Sequence, residues 1–331
     1  MKFVRFVFVL AVLAALGAAA AAYLWVNKPM ALAAESVEVA VEQGTPPRAI
    51  AQAWVDAGVK TSPLFLYEYF RWSGQAKKIR AGSYEIGLNT TPAQLLNKMV
   101  RGDETLAVVR IIDGWTFKQV RAELAKADSL KPTTAKMSDR DIMAALGQPA
   151  LAPEGRFYPD TYAYSKGSSD IAVLKRAFHA MQKRLDEAWA QRTQDTPLKS
   201  VDDALILASI VEKETGAAAE RGKVAAVFVN RLRINMPLQT DPTVIYGMGD
   251  QFDGNLRKKD LVTDGPYNTY TRNGLPPTPI SMPGKASLLA AVKPEPIKAL
   301  YFVSRGDGTS EFSDNLNAHN KAVNQYQRGK P

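Results

Sequence analysis

Phe6 to Val26, "FVFVLAVLAALGAAAAAYLWV", is an uncharged apolar run of 21 residues. A helix of that length, rising about 1.5 Å per residue, is long enough to cross a hydrocarbon core of about 30 Å. Lys2, Arg5 and the amino terminus precede the run, and Lys28 is the only nearby cation after it. Such an imbalance keeps the N-terminal side in the cytoplasm and places the remaining chain outside. A single uncleaved span is therefore expected. A cleaved signal peptide is the competing reading, because the Ala-rich stretch and "ALAA" offer small residues for cleavage, but the apolar region is longer than secretory signals usually carry.

A chain of 331 residues is too long for one small core and suggests two domains with this appendage. Its 42 Lys and Arg against 33 Asp and Glu give +9, which would suit nucleic acid, anionic lipid or an acidic polymer. The cations are spread along the chain, so charge does not choose among them. The absence of cysteine excludes disulfides, Cys-based zinc sites and thiol catalysis. No P-loop, G-x-S-x-G elbow, H-E-x-x-H pair or EF-hand loop occurs. The two histidines are too few for a histidine-built metal site. His179 sits in an amphipathic segment and reads as structural, whereas His319 in "NAHN" suits either a pocket wall or loop packing.

After an Ala-rich linker, "SVEVAVEQG" alternates like a strand, and "TPPRAIAQAWVDAG" follows as a helix opened by Thr-Pro and closed by Gly. "SPLFLYEYFRWSG" reads as a second helix, "AGSYEIG" as a short strand, and "TPAQLLNKMVRG" as a third helix. The strand and "QGTPPRAIAQAW" resemble the first half of a LysM carbohydrate-binding module; an ordinary βα unit fits the same residues. A repetition appears at an offset of 70: Val39, Val41, Gly44, Ile50 and Trp54 recur as Val109, Ile111, Gly114, Val120 and Leu124. Two copies of a strand-Gly-helix unit do not make a solenoid. Farther on, Ile171 to Arg192 predicts a long amphipathic helix, and Val201 to Arg233 a helix pair broken near Gly216. The segments "LQTDPTVIYGMGD", "DGPYNTYTRNGLPPTPI" and "FSDNLNAHN" read as loops, either suited to a polar hydroxylated ligand or simply rich in turn residues.

Within the first helix of that pair, "LILASIVEKETG", Glu214 stands at i+7, i+4 and i+3 from Leu207, Ile210 and Val211, on their apolar arc. Glu212 points almost the opposite way. A carboxyl pressed against apolar side chains loses hydration of its charged form, so its pKa rises and it can donate a proton near neutrality. The alternative is that the helix end turns Glu214 out to solvent or pairs it with a nearby cation.

"ASIVEKETGAAAERGKVAAVFVNRLRINMPLQTDPTVIYGMG", with "PEGRFYPDTYAY", "YNTYTRNGLPPTPISMPG" and "NAHN", closely resembles the YceG-like family of endolytic murein transglycosylases over nearly the whole chain. The resemblance implies an α+β protein: cytoplasmic N-terminus and transmembrane helix (1–27), linker (28–35), LysM-like βααβ module (36–103) and a larger mixed α/β catalytic domain (104–331). It also implies non-hydrolytic cleavage of the β-1,4 bond between N-acetylmuramic acid and N-acetylglucosamine in peptidoglycan, leaving 1,6-anhydro ends, with Glu214 as general acid and base and neither metal nor organic cofactor. Gln239, Thr240 and Asp241 are expected near the acid, and Tyr246, Tyr267, Asn268, Thr269 and His319 along the glycan cleft. Asp241 either orients a sugar hydroxyl or caps a turn. Expected partners are peptidoglycan strands, the membrane and the synthases (penicillin-binding proteins) that polymerise the strands, but not nucleic acid. The place expected is the inner membrane, catalytic region periplasmic. Two other classes compete: a non-catalytic glycan-binding scaffold, and a hydrolytic muramidase in which Asp241 activates water.

Overall fold

Lys2–Asn27 form one helix, α1, whose apolar side chains lie exposed from Phe3 to Leu24. It is long and apolar enough to cross a membrane. The computed structural model describes residues 2–214 and 217–329. It divides into two units, the first comprising residues 1–107, 128–130 and 163–168 and the second the remainder.

In the first unit, β1 (Ser36–Val41) pairs antiparallel with β2 (Gly82–Gly87), with Val37 opposite Ile86 and Val39 opposite Tyr84. The alternation read from "SVEVAV" turns Val37, Val39 and Val41 into the core. Helices α2 (Pro47–Asp56), α3 (Pro63–Trp72) and α4 (Pro92–Arg101) cover them with Ile50, Trp54, Leu66, Phe70, Leu95, Leu96 and Met99. Thr91 and Gln94 close a capping box at the start of α4, and Gly102, at φ 76°, ends it in the left-handed conformation that glycine takes without strain. Residues 28–35, expected as a linker, are bonded onto this unit: Met30 N donates to Thr90 O (2.9 Å) and Ala33 N to Gly58 O (2.9 Å).

The chain passes between units within β3 (Leu106–Ile111) and again within β4 (Asp160–Ser165), and these two strands pair. Between them lie α5 (Phe117–Lys126) and α6 (Asp139–Ala145). The bounds of β3 and α5 are those of β1 and α2 shifted by 70 residues, and Gly114 repeats the positive φ of Gly44. The repetition in the sequence is thus a repeated strand-helix-helix-strand order.

The second unit is built around α8 (Val201–Glu214), with Ala204 to Val211 all buried. A helix apolar on every side needs neighbours on every side. It has α7 (Asp170–Trp189), α9 (Arg221–Arg233), α10 (Asp241–Met248) and α12 (Lys285–Val292), with the short α11 (Lys258–Val262) beside α10. Ser209, within α8, accepts from Ile280 N (3.0 Å), and its carbonyl accepts from the Ser281 hydroxyl (3.0 Å), which fixes the stretch leading into α12. A hairpin of β5 (Tyr301–Ser304) and β6 (Ser310–Ser313) leads to α13 (Leu316–Gln327).

Two expected loops are helical. "LQTDPTVIYGMGD" contains α10, opened by Pro242 in its first turn, and "FSDNLNAHN" runs into α13, where the Asn315 side chain accepts from Ala318 N (2.9 Å) as an N-cap. Residues that read as turn formers are here the start signals of helices. The expected break near Gly216 falls at 215–216, outside the described residues.

Candidate active site

Glu214 is the last residue of α8, carried to the rim of the core by the apolar arc beneath it. It lines a cavity of about 570 Å³. Phe228 and Arg231 of α9, Gln239, Asp241, Tyr270, Tyr301 and the α13 residues His319 and Asn320 are among the side chains that line it with Glu214.

The carboxyl is held from one side. The Thr240 hydroxyl donates to Glu214 Oε1, and Thr240 is itself fixed, because its backbone N donates to Thr269 Oγ1 (3.1 Å) and its carbonyl accepts from Thr243 Oγ1 (2.8 Å). Gln239, whose N donates to Thr269 O (3.0 Å), takes φ 49°. That left-handed backbone is costly for a side chain with a Cβ, and the flanking bonds hold it.

Burial raises the Glu214 pKa above the ordinary carboxylate value; the Thr240 hydroxyl works against the rise, Asp241 adds to it, and Arg231 opposes it. Arg231 is a buried cation whose Nε donates to Leu300 O (2.7 Å) and Nη1 to Leu238 O (2.8 Å), with its guanidinium over the Tyr301 ring. His319, also in the cavity lining, stacks on Tyr301 at 5.0 Å. Desolvation and Arg231 lower the His319 pKa, which favours the neutral ring, and its buried Nδ1 has no partner among the described residues. Tyr270 OH donates to Asp241 Oδ1 (2.5 Å). The site thus offers one half-buried acid whose raised pKa favours the protonated form, surrounded by donors and aromatic faces suited to a sugar. Among the described residues, no three His, Asp or Glu side chains gather as a metal-ligand set.

Residues 39–325 match the family described as the YceG-like family. The chain belongs to that family. A Bacillus subtilis (strain 168) protein named endolytic murein transglycosylase is 31% identical, over 81% of this chain and 78% of that protein. A Streptococcus pneumoniae (serotype 2, strain D39) protein of the same name is 24% identical over 89% of this chain, which spans 59% of that longer relative. The crystal structure of a YceG-like protein from Listeria monocytogenes superposes with TM-score 0.54 at 29% identity, covering 87% of this chain and 98% of that one.

The YceG-like chain distributes the other expected site residues differently. Gln239, Asp241 and His319 line the cavity with Glu214, and Thr240 bonds it. Tyr246, Tyr267, Asn268 and Thr269 are not among the lining residues. Thr269 holds the 239–240 segment. Asn268 is buried, its Nδ2 spent on the carbonyls of Asp260, Leu261 and Thr263 (2.7–3.2 Å). Tyr267 OH pairs with Thr278 Oγ1 (2.8 Å), and its ring meets Tyr246 edge-on at 4.9 Å.

Tyr246 OH donates to Glu154 Oε2 (3.1 Å), a second buried acid. Glu154 also accepts from Phe117 N, the first residue of α5, at 3.0 and 3.2 Å. Burial pushes its pKa up to about 7 in spite of these bonds. The following Gly155 sits at φ 77° against Pro279, where a Cβ would come within 2.5 Å of the proline ring. Arg231, Tyr270, Tyr301, Asn320 and Glu154 are contributors that the sequence reading missed. Of these, all but Tyr301 stood inside segments already singled out: Arg231 in "VFVNRLR", Tyr270 in "YNTYTRNG", Asn320 in "NAHN" and Glu154 in "PEGRFYPDTYAY".

Glu212, expected on the opposite arc, has a structural environment of its own. Its Oε2 accepts from Gly284 N (2.9 Å) at the start of α12, and Oε1 lies 3.7 Å from Arg221.

Proposed function

We propose that this YceG-like chain is a membrane-anchored, endolytic lytic transglycosylase of peptidoglycan. The observation that carries the reading is Glu214: a half-buried carboxyl of raised pKa, bonded by Thr240 in the lining of a cavity, in a chain of this family. Glu214 protonates the N-acetylglucosamine oxygen as its bond to C1 of N-acetylmuramic acid breaks. The carboxylate then takes the proton of the muramic C6 hydroxyl while that oxygen bonds to C1. A 1,6-anhydro end results, no water is consumed, and the acid returns to its starting state. The nucleophile belongs to the sugar and is already close, so one carboxyl suffices where most glycosidases use two. Gln239, Asp241, Tyr270 and His319 line the path of the strand; Tyr246, Tyr267, Asn268 and Thr269 support it from behind.

In the same reading α1 spans the inner membrane with the N-terminus cytoplasmic, the 36–103 module is LysM-like and meets glycan, and anchoring brings the enzyme to strands emerging from peptidoglycan synthases. Digestion of purified glycan strands by the full-length protein tests the chemistry by mass spectrometry, since a reducing end is heavier than an anhydro end by one water. Anhydro ends support the lytic reaction. Reducing ends would instead make the enzyme a muramidase with Asp241 activating water, and no cleavage by a folded protein would make it a scaffold.

A further inference from the structure

We infer that the exposed face of α3, with the basic segment that follows it, rests on the anionic lipid headgroups of the membrane that α1 enters. This rests on the reading that α1 spans the bilayer.

Three observations within the first unit carry it. The end of α1 is fixed to the module rather than tethered to it. Beyond the bonds of Met30 and Ala33, Lys60 N donates to Ala31 O (2.8 Å), and Leu32 bridges Val59. The Trp25 ring, in the last turn of α1, meets Phe65 and Tyr69 of α3 edge-on at 6.0 and 6.4 Å. Tyr and Trp near the end of an apolar span sit at headgroup level, so whatever touches Trp25 is held there too.

The second observation is the face that α3 leaves uncovered. Leu66 and Phe70 enter the core, but Leu64, Phe65 and Trp72 are 54%, 59% and 79% exposed. At 100° per residue these three fall on one arc with Glu68 and Arg71. Three large apolar side chains on one helix face, next to a membrane anchor, have an occupant at hand in the lipid interface.

The third is charge. From Pro63 to Arg80 the chain carries Arg71, Lys77, Lys78 and Arg80 against Glu68 alone, and Glu68 pairs with Arg71 at 2.6 Å. The remaining cations are exposed and follow α3 within eight residues, and clustered cations next to an apolar anchor bind anionic lipid, with about 1 kcal/mol expected per cation near such a surface. The seat restrains the first unit at the bilayer.

The chain has no cysteine, so one introduced cysteine gives one labelled position. Full-length Leu13→Cys, Leu64→Cys, Trp72→Cys and Gln43→Cys, each carrying an environment-sensitive fluorophore, would be reconstituted into phosphatidylglycerol-containing vesicles. Gln43 follows the far end of β1, about 20 Å along the strand from Ser36. Labels at 13, 64 and 72 should emit to the blue and resist aqueous iodide, while the label at 43 is quenched. Quenching at 64 and 72 with protection at 13 overturns the docking and leaves the anchor standing; quenching at 13 as well removes the anchor and the docking together. In vesicles of neutral lipid, or with Lys77→Glu and Lys78→Glu, protection at 72 should weaken; unchanged protection would contradict the role assigned to charge.

Discussion

The Thr240 hydroxyl donates to Glu214 Oε1, tying the last residue of α8 to the residue that caps α10. Thr240 has no freedom of its own, being bonded through Thr243 and Thr269. The acid is therefore aimed by a residue 26 positions farther along the chain, outside the helix that carries it.

That bond and the neighbouring charge shift Glu214 in opposite directions. The Thr240 hydroxyl stabilises the carboxylate and lowers its pKa, so Thr240→Val should raise it; Asp241 disfavours the carboxylate, so Asp241→Asn should lower it. A general acid must start protonated, and activity falls as pH rises through its pKa. The alkaline limb of the pH profile for glycan cleavage should move up in Thr240→Val and down in Asp241→Asn. Shifts in the same direction would remove Glu214 as the titrating group.

Glu154 makes a stability prediction. Its folded pKa, about 7, lies above the ordinary 4.5, so the favourable contribution of the protonated acid is complete below about 4.5 and is lost as pH rises through 7. The loss is about 3 kcal/mol, an order-of-magnitude figure from the size of the shift. Melting of wild type and Glu154→Gln from pH 4.5 to 7.5 should show a steeper fall in the wild type. Parallel curves would mean that Glu154 ionises in the folded protein as it does in the unfolded chain.

Glu212→Gln keeps an acceptor for Gly284 N but removes the charge beside Arg221. It should lower stability by about 1 kcal/mol or less, the scale of a single ion pair, while cleavage per folded molecule is largely retained. Thermal melting and activity measured on the same sample check both halves; an unchanged melt with lost cleavage would move Glu212 into the chemistry.

Local pattern made part of this legible. The 3.6-residue period of α8 places Glu214 over Leu207, Ile210 and Val211, and the two-residue period of β1 places its valines inward. The offset of 70 between β1 with α2 and β3 with α5 was visible too, as was β2 in "AGSYEIG", though not β4, which completes the second order. Convergence from distant segments was not legible. Arg231 meets Leu300 through a backbone carbonyl, Tyr301 stacks on His319, and Glu154 meets Tyr246 across 92 residues, and none of these pairings leaves a periodic trace. Asn268 reads as a sugar ligand by type, but its amide is spent on three carbonyls at the end of α11. Asn315 and the Thr240-Asp241-Pro242 run were ambiguous for another reason, since caps and turns use the same residues.

The decisive comparison is anhydromuropeptide release by wild type and Glu214→Gln, with melting measured on both. The amide keeps nearly the same volume but cannot donate or recover the proton. Release should fall by at least the roughly 10²- to 10⁴-fold attributed to general acid-base catalysis, while the melting temperature holds or rises because a buried acid has been neutralised. Full release by a well-folded Glu214→Gln protein would contradict the catalytic role of Glu214.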